Sequence, residues 1–99
     1  MHLIVDNLQK IRELCKKYKV KTLYVFGSIL TSHFNDQSDI DLLVNFNKDE
    51  IEDPFINFFD MIYEFQDLLG RKIDLVDETS ISNKIFIQNL MATRQLIYG

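Results

Sequence analysis

The sequence predicts an α+β domain of two layers, a small mixed three-stranded sheet with helices packed against it. An amphipathic run opens the chain, three short β-branched runs each end at polar or turn residues, and a helix bounded by proline and glycine separates the last two strands. With 99 residues the chain has room for one domain, residues 1–99, and one core. Its 46% apolar content, with eight phenylalanines and four tyrosines, suits a packed globule rather than a disordered chain.

Ile4, Leu8, Ile11, Cys15 and Tyr18 recur at steps of three or four, while Lys10, Arg12, Glu13, Lys16 and Lys17 fill the other faces. Residues 3–19 therefore read as an amphipathic helix. The single cysteine, Cys15, falls on its apolar face and acts as a small hydrophobe. Residues 22–26 are short, β-branched and aromatic, and run into the turn Gly27-Ser28, which can open a short helix through Ile29-Leu30-Thr31. After the polar loop 32–38, residues 40–46 form a second strand whose unbroken Leu42-Leu43-Val44 predicts cover on both faces.

Asp53-Pro54 supplies a helix cap followed by proline at the first helical position, and Gly70 stands where a C-terminal glycine belongs, giving a helix over 54–69. Its stripe through Phe55, Phe59, Ile62 and Leu69 reads as core, which leaves Ile56, Phe58, Tyr63 or Phe65 for a wrapped core or an interface with another chain. A third strand covers 72–76. Ser80 or Ser82 can cap a last helix that buries Ile85, Leu90, Met91, Leu96 and Ile97.

Two classes of function are disfavoured. A net charge of −4 opposes a protein whose main work is gripping nucleic-acid phosphate. No uncharged stretch reaches the ~18 residues a membrane span needs, and no leader pattern opens the chain, which points to a cytoplasmic protein.

The chemistry-bearing residues lie around the strand ends. In an extended segment Asp39 and Asp41 project to one side while Ile40 points into the core. Paired carboxylates repel unless a cation sits between them, and oxygen donors of this kind suit Mg²⁺, which keeps waters and takes substrate phosphates as further ligands. Gly27-Ser28 follows a strand and can aim backbone N–H groups and a hydroxyl at an anion. Asp74 interrupts the third strand and can join the other two acids, either as a metal ligand or as the acceptor of a hydroxyl proton. Each part taken alone also fits an ordinary turn, cap or edge charge; the combination carries the reading.

Gly27-Ser28, ten residues, Asp39-x-Asp41 and a later lone Asp74 resemble the nucleotidyltransferases of the DNA polymerase β superfamily. The short length resembles its minimal nucleotidyltransferase (MNT) members, which act as antitoxins beside HEPN ribonuclease toxins. The resemblance implies a nucleotidyltransferase fold in which Gly27 and Ser28 bind the triphosphate of ATP, Asp39 and Asp41 hold Mg²⁺, and Asp74 completes a metal-binding catalytic set. It also implies AMP transfer, with loss of pyrophosphate, to a tyrosine hydroxyl of a HEPN-family toxin partner; separately, the surplus aromatics of residues 54–69 fit an interface with a partner or with a further copy of the chain.

Where many relatives have an arginine shortly after Gly-Ser, this chain has Ile29-Leu30-Thr31-Ser32-His33. Arg71, Lys72 or Arg94 are the other bases that can supply that charge, and His33 reads as a loop residue. A nucleotidyltransferase-like subunit that neutralises its partner by binding alone is the alternative. A small-molecule acceptor is disfavoured because the chain lacks added substrate-binding segments.

Overall fold

The computed structural model describes residues 1–99. The opening amphipathic segment is two helices, α1 (His2–Val5) and α2 (Leu8–Lys17), and not the single helix expected over 3–19. Asn7 makes the break: its side-chain amide donates to the Leu3 carbonyl at 2.8 Å, and the residue becomes the N-cap of α2. The expected apolar face survives, with Ile4, Ile11, Cys15 and Tyr18 all buried. Burial pushes the Cys15 thiol up to about 12, so it stays an unreactive neutral group at physiological pH.

Strand β1 (Val20–Phe26) passes into a 3-10 turn, Gly27–Leu30, that buries Ile29. Strand β2 (Ile40–Phe46) pairs antiparallel with β1, and Leu42, Leu43 and Val44 are buried as their unbroken run predicts. Helix α3 (Pro54–Leu69) begins at Asp53, whose carboxylate accepts from the Ile56 N–H at 3.2 Å, and ends at Gly70 in the left-handed conformation. Strand β3 (Ile73–Asp77) lies parallel to β2.

Helix α4 (Lys84–Thr93) is capped by Asn83, whose side chain accepts from Phe86 N–H at 3.0 Å, in place of either serine. It stops at Arg94, where the backbone turns extended, and a fourth strand follows, β4 (Gln95–Tyr98). Leu96 and Ile97 therefore belong to a strand paired antiparallel with β1, and the sheet has four strands in the order β3-β2-β1-β4. Neither glycine nor proline marks that boundary, so the apolar spacing reads on as helix. Ile85 and Met91 are exposed, and Leu90 is the one fully buried side chain of α4.

One face of the sheet, with Leu23, Val25, Ile40, Leu42, Val44, Ile73 and Leu75, packs against α2 and α3. Tyr18 donates its hydroxyl to Glu64 and so ties α2 to α3, with Lys17 Nζ 2.9 Å from the same carboxylate. The opposite face carries Tyr24, Phe26, Asp41, Leu43 and Asp74, as period-two alternation requires. Phe86 of α4 meets Phe26 there, edge to face at 6.4 Å.

The buried stripe of α3 runs through Met61, Phe65 and Leu69, supported by Phe58 and Ile62, and not through Phe55 and Phe59. Phe55, Ile56, Phe59 and Tyr63 are exposed on its other side. The cause is α3's rotation about its axis: a helix so rich in apolar residues offers several stripes of equal quality, and contact with α2 and β3 chooses one. Phe65→Ala should therefore cost about 3–5 kcal/mol in chemical denaturation. Phe55→Ala, at 72% exposure, should change stability by less than about 0.5 kcal/mol; the reverse order of effects would restore the stripe expected from spacing.

Candidate active site

The five residues singled out in the sequence converge at one end of the sheet. Gly27 closes β1, Asp41 is the second residue of β2, and Asp74 is the second residue of β3. Register aligns them: Phe26 pairs with Asp41 across the antiparallel ladder, and Asp41 pairs with Asp74 across the parallel one. Directly paired residues share a face, so the two carboxylates are neighbours about one strand spacing apart, roughly 4.8 Å at the backbone. Asp39 lies just before β2 and is exposed, on the same side as Asp41 by alternation.

Gly27 is required here for two reasons. Its φ of +77° is a conformation that side chains disfavour, and a Cβ at this position would collide with the Asp41 carboxylate, whose Cγ would lie 3.1 Å away. The absence of a side chain leaves room for the Asp41 carboxylate beside the Gly27 backbone. Ser28 follows at the head of the 3-10 turn and is half-buried; its carbonyl accepts from both the Thr31 N–H (2.9 Å) and the Thr31 hydroxyl (2.8 Å).

Burial, then the charge of Asp74, then that of Asp39, and a hydrogen bond with Asp74 hold the Asp41 carboxyl above its ordinary value. No ion pair offsets this crowding. The three ion pairs of the molecule, Lys17–Glu64, Lys48–Asp77 and Arg94–Glu78, all lie elsewhere. No three acid, histidine or cysteine side chains form a ready-made cage for an ion. The donor set is nonetheless all carboxylate oxygen, which fits a hard divalent cation that brings waters and phosphate ligands of its own.

The candidates for the missing arginine separate clearly. Arg94 pairs with Glu78 at 2.5 Å and lies over the Tyr24 ring, 3.8 Å from its centroid, so it is committed to structure. Arg71 donates to the carbonyls of Asn35 and Ser38 and stacks on Phe34. Lys72 is exposed, two residues before Asp74 in an extended segment, and therefore projects from the acid-bearing face. That alternation was legible in the sequence. The partners of Arg71, more than thirty residues earlier in the chain, were not. His33 is an exposed loop residue, as its lack of a partner pattern predicts.

Comparison with known proteins places this arrangement. The family model described as Polymerase beta, Nucleotidyltransferase matches residues 9–99. A Methanocaldococcus jannaschii protein provisionally named as a protein adenylyltransferase is 42% identical over 82 residues, 81% of this chain and 80% of its own. Protein adenylyltransferase MntA of Thermococcus cleftensis is 32% identical over 74 residues, 75% of this chain and 72% of its own. Among solved structures, a chain of a toxin–antitoxin complex with AMP-PNP superposes with a TM-score of 0.73 at 26% identity, over 94% of this chain and 73% of that one. A chain from the complex of tri-AMPylated Shewanella oneidensis HEPN toxin with MNT antitoxin gives 0.67 at 25% identity, over 96% and 71%. With Asp41 and Asp74 in register beside Gly27 at one end of a four-stranded mixed sheet, and a family match from residue 9 to the last, the chain belongs to the polymerase beta nucleotidyltransferase family.

Proposed function

We propose that this chain is the antitoxin of a toxin–antitoxin pair, a cytoplasmic enzyme that transfers AMP from ATP to a tyrosine hydroxyl of a HEPN-type toxin. The observation that carries the reading is the Asp41 carboxyl, set against Gly27 and beside Asp74 in register, with no ion pair to either acid. The relatives named as protein adenylyltransferases and the AMPylated toxin complex support the reaction and the acceptor.

Asp39 and Asp41, with Asp74 beside them, would hold Mg²⁺. Bound there, the ion would neutralise phosphate charge and orient the α-phosphoryl group for in-line displacement. The Gly27–Ser28 turn lies against the triphosphate, and Lys72 adds positive charge from the same face. The acceptor oxygen forms its bond to the α-phosphorus as the bond to pyrophosphate breaks, and Asp74 takes the hydroxyl proton. No helix of the chain is long and apolar enough to cross a membrane.

A second reading, neutralisation by binding alone, is favoured by one feature: the segment Ile29–His33 carries no arginine, and Arg94 is already paired. Intact mass of the partner toxin after incubation with ATP and Mg²⁺ separates the two. Transfer predicts a gain of one or more AMP units, slowed about 10²–10⁴-fold by Asp74→Asn and abolished by Asp41→Asn. A toxin that is silenced yet unmodified would support binding alone.

The acid cluster also has a thermodynamic signature. A carboxyl raised in the folded state stabilises the fold below its unfolded value and loses that contribution as pH rises through the folded value. At neutral pH Asp41 therefore costs stability, and Asp41→Asn should melt roughly a few °C above wild type at pH 7. The margin should close as the pH falls through the raised folded value toward the ordinary aspartate value. A variant that melts at or below wild type at neutral pH would contradict the crowding.

A further inference from the structure

We infer that Arg71 is a positioning residue for the metal-holding acids, fixing the backbone from which Asp39 projects. The inference rests on the proposed role of Asp39 toward a divalent cation.

Asp39 stands outside the sheet ladder, at the end of a polar loop, residues 32–38, whose one apolar side chain, Phe34, packs against the core. Such a segment wanders unless something holds it, and a ligand misplaced by even an ångström loses much of its worth. The structure brackets Asp39 on both sides. On its C-terminal side the Ile40 N–H donates to the Lys72 carbonyl at 2.9 Å, starting the parallel ladder. On its N-terminal side the Ser38 carbonyl, part of the peptide bond to Asp39, accepts from Arg71 Nη2 at 2.5 Å.

The same nitrogen also donates to the Asn35 carbonyl. Asn35 and Ser38 are the two ends of one tight turn: Ser38 N–H donates to the Asn35 carbonyl at 3.1 Å, and Asn35 N–H donates to the Ser38 hydroxyl at 3.1 Å. The guanidinium lies 4.6 Å from the centroid of Phe34, one residue earlier. Arg71 thus spans the turn from ring to carbonyl, and its backbone neighbour Lys72 holds the next residue. A lysine could carry the charge, but its ammonium could not stack on the ring as a planar guanidinium does while bonding both carbonyls.

Positioning and plain electrostatics predict opposite signs. A positive charge near a cation site opposes cation binding, so removal of a merely electrostatic Arg71 would tighten it. Removal of a positioning Arg71 should weaken it by roughly 10–100-fold, as loss of residues that orient metal ligands does. The test is Mn²⁺ binding by calorimetry to the full chain, wild type, Arg71→Ala, Arg71→Lys and Asp39→Asn, with amide hydrogen exchange of residues 34–40 alongside. We expect weaker Mn²⁺ binding and faster exchange at Ser38 and Asp39 in Arg71→Ala, an intermediate effect in Arg71→Lys, and melting temperatures that stay close to wild type in the lysine variant. Equal or tighter Mn²⁺ binding by both Arg71 variants would overturn the proposal alone. Absence of Mn²⁺ binding by the wild type would overturn it together with the reading of the acids.

Discussion

The carboxylate of Asp41 occupies the space where a side chain of Gly27 would be, and it does so in register with a second aspartate on the next strand. Much else in the molecule is arranged around that contact. β1 must end in a residue without a Cβ and with positive φ; β2 must enter the sheet at Ile40, so that Asp41 faces away from the core; and β3 must run parallel to β2, so that Asp74 arrives at the same level. A slip of one residue in either pairing would send one of these aspartates into the hydrophobic layer, where an unpaired charge is strongly disfavoured.

The division of the sheet into two faces makes this tolerable. Helices α2 and α3 cover one face with a continuous apolar layer, and that burial drives folding. The other face is only partly covered, by α4 through Phe86 and by Arg94 over Tyr24, and its open end holds the acids. Stability is therefore concentrated in the layer away from the chemistry. Conflict among the carboxylates can be tolerated at the open end because Asp39 and Asp74 are exposed to solvent there. Asp41 is only half-buried, while Ile40, Leu42 and Val44 on the core side of β2 are fully buried.

Much of this was legible in the amino-acid sequence because it depends on local patterning. The period-two alternation of β2 predicted that Asp39 and Asp41 share a face, the Asp53-Pro54 and Gly70 signals fixed the ends of α3, and the strand-turn at Phe26-Gly27-Ser28 lies where it was expected. What escaped was decided by contacts between distant segments. β4 is a strand because β1 offers it a free edge, although its Leu96 and Ile97 continue a helical spacing from α4. The buried side of α3 is set by its rotation against α2 and β3, which no spacing rule supplies for a helix apolar on several sides. Arg71 holds a turn far away in sequence, and only the fold brings donor and carbonyls together. The missing arginine after Gly27-Ser28 is a departure from the expected motif, and Arg71 and Arg94 are already engaged, by backbone carbonyls and by Glu78.

The account depends on an Asp41 carboxyl that is crowded in the free protein and relieved by a divalent cation. Carbon-13 NMR of the Asp41 side-chain carboxyl, titrated over pH with and without Mg²⁺, measures that directly. The account predicts a midpoint above the ordinary aspartate range in the free protein and a clear downward shift on adding Mg²⁺. An ordinary midpoint that Mg²⁺ leaves unchanged would contradict it.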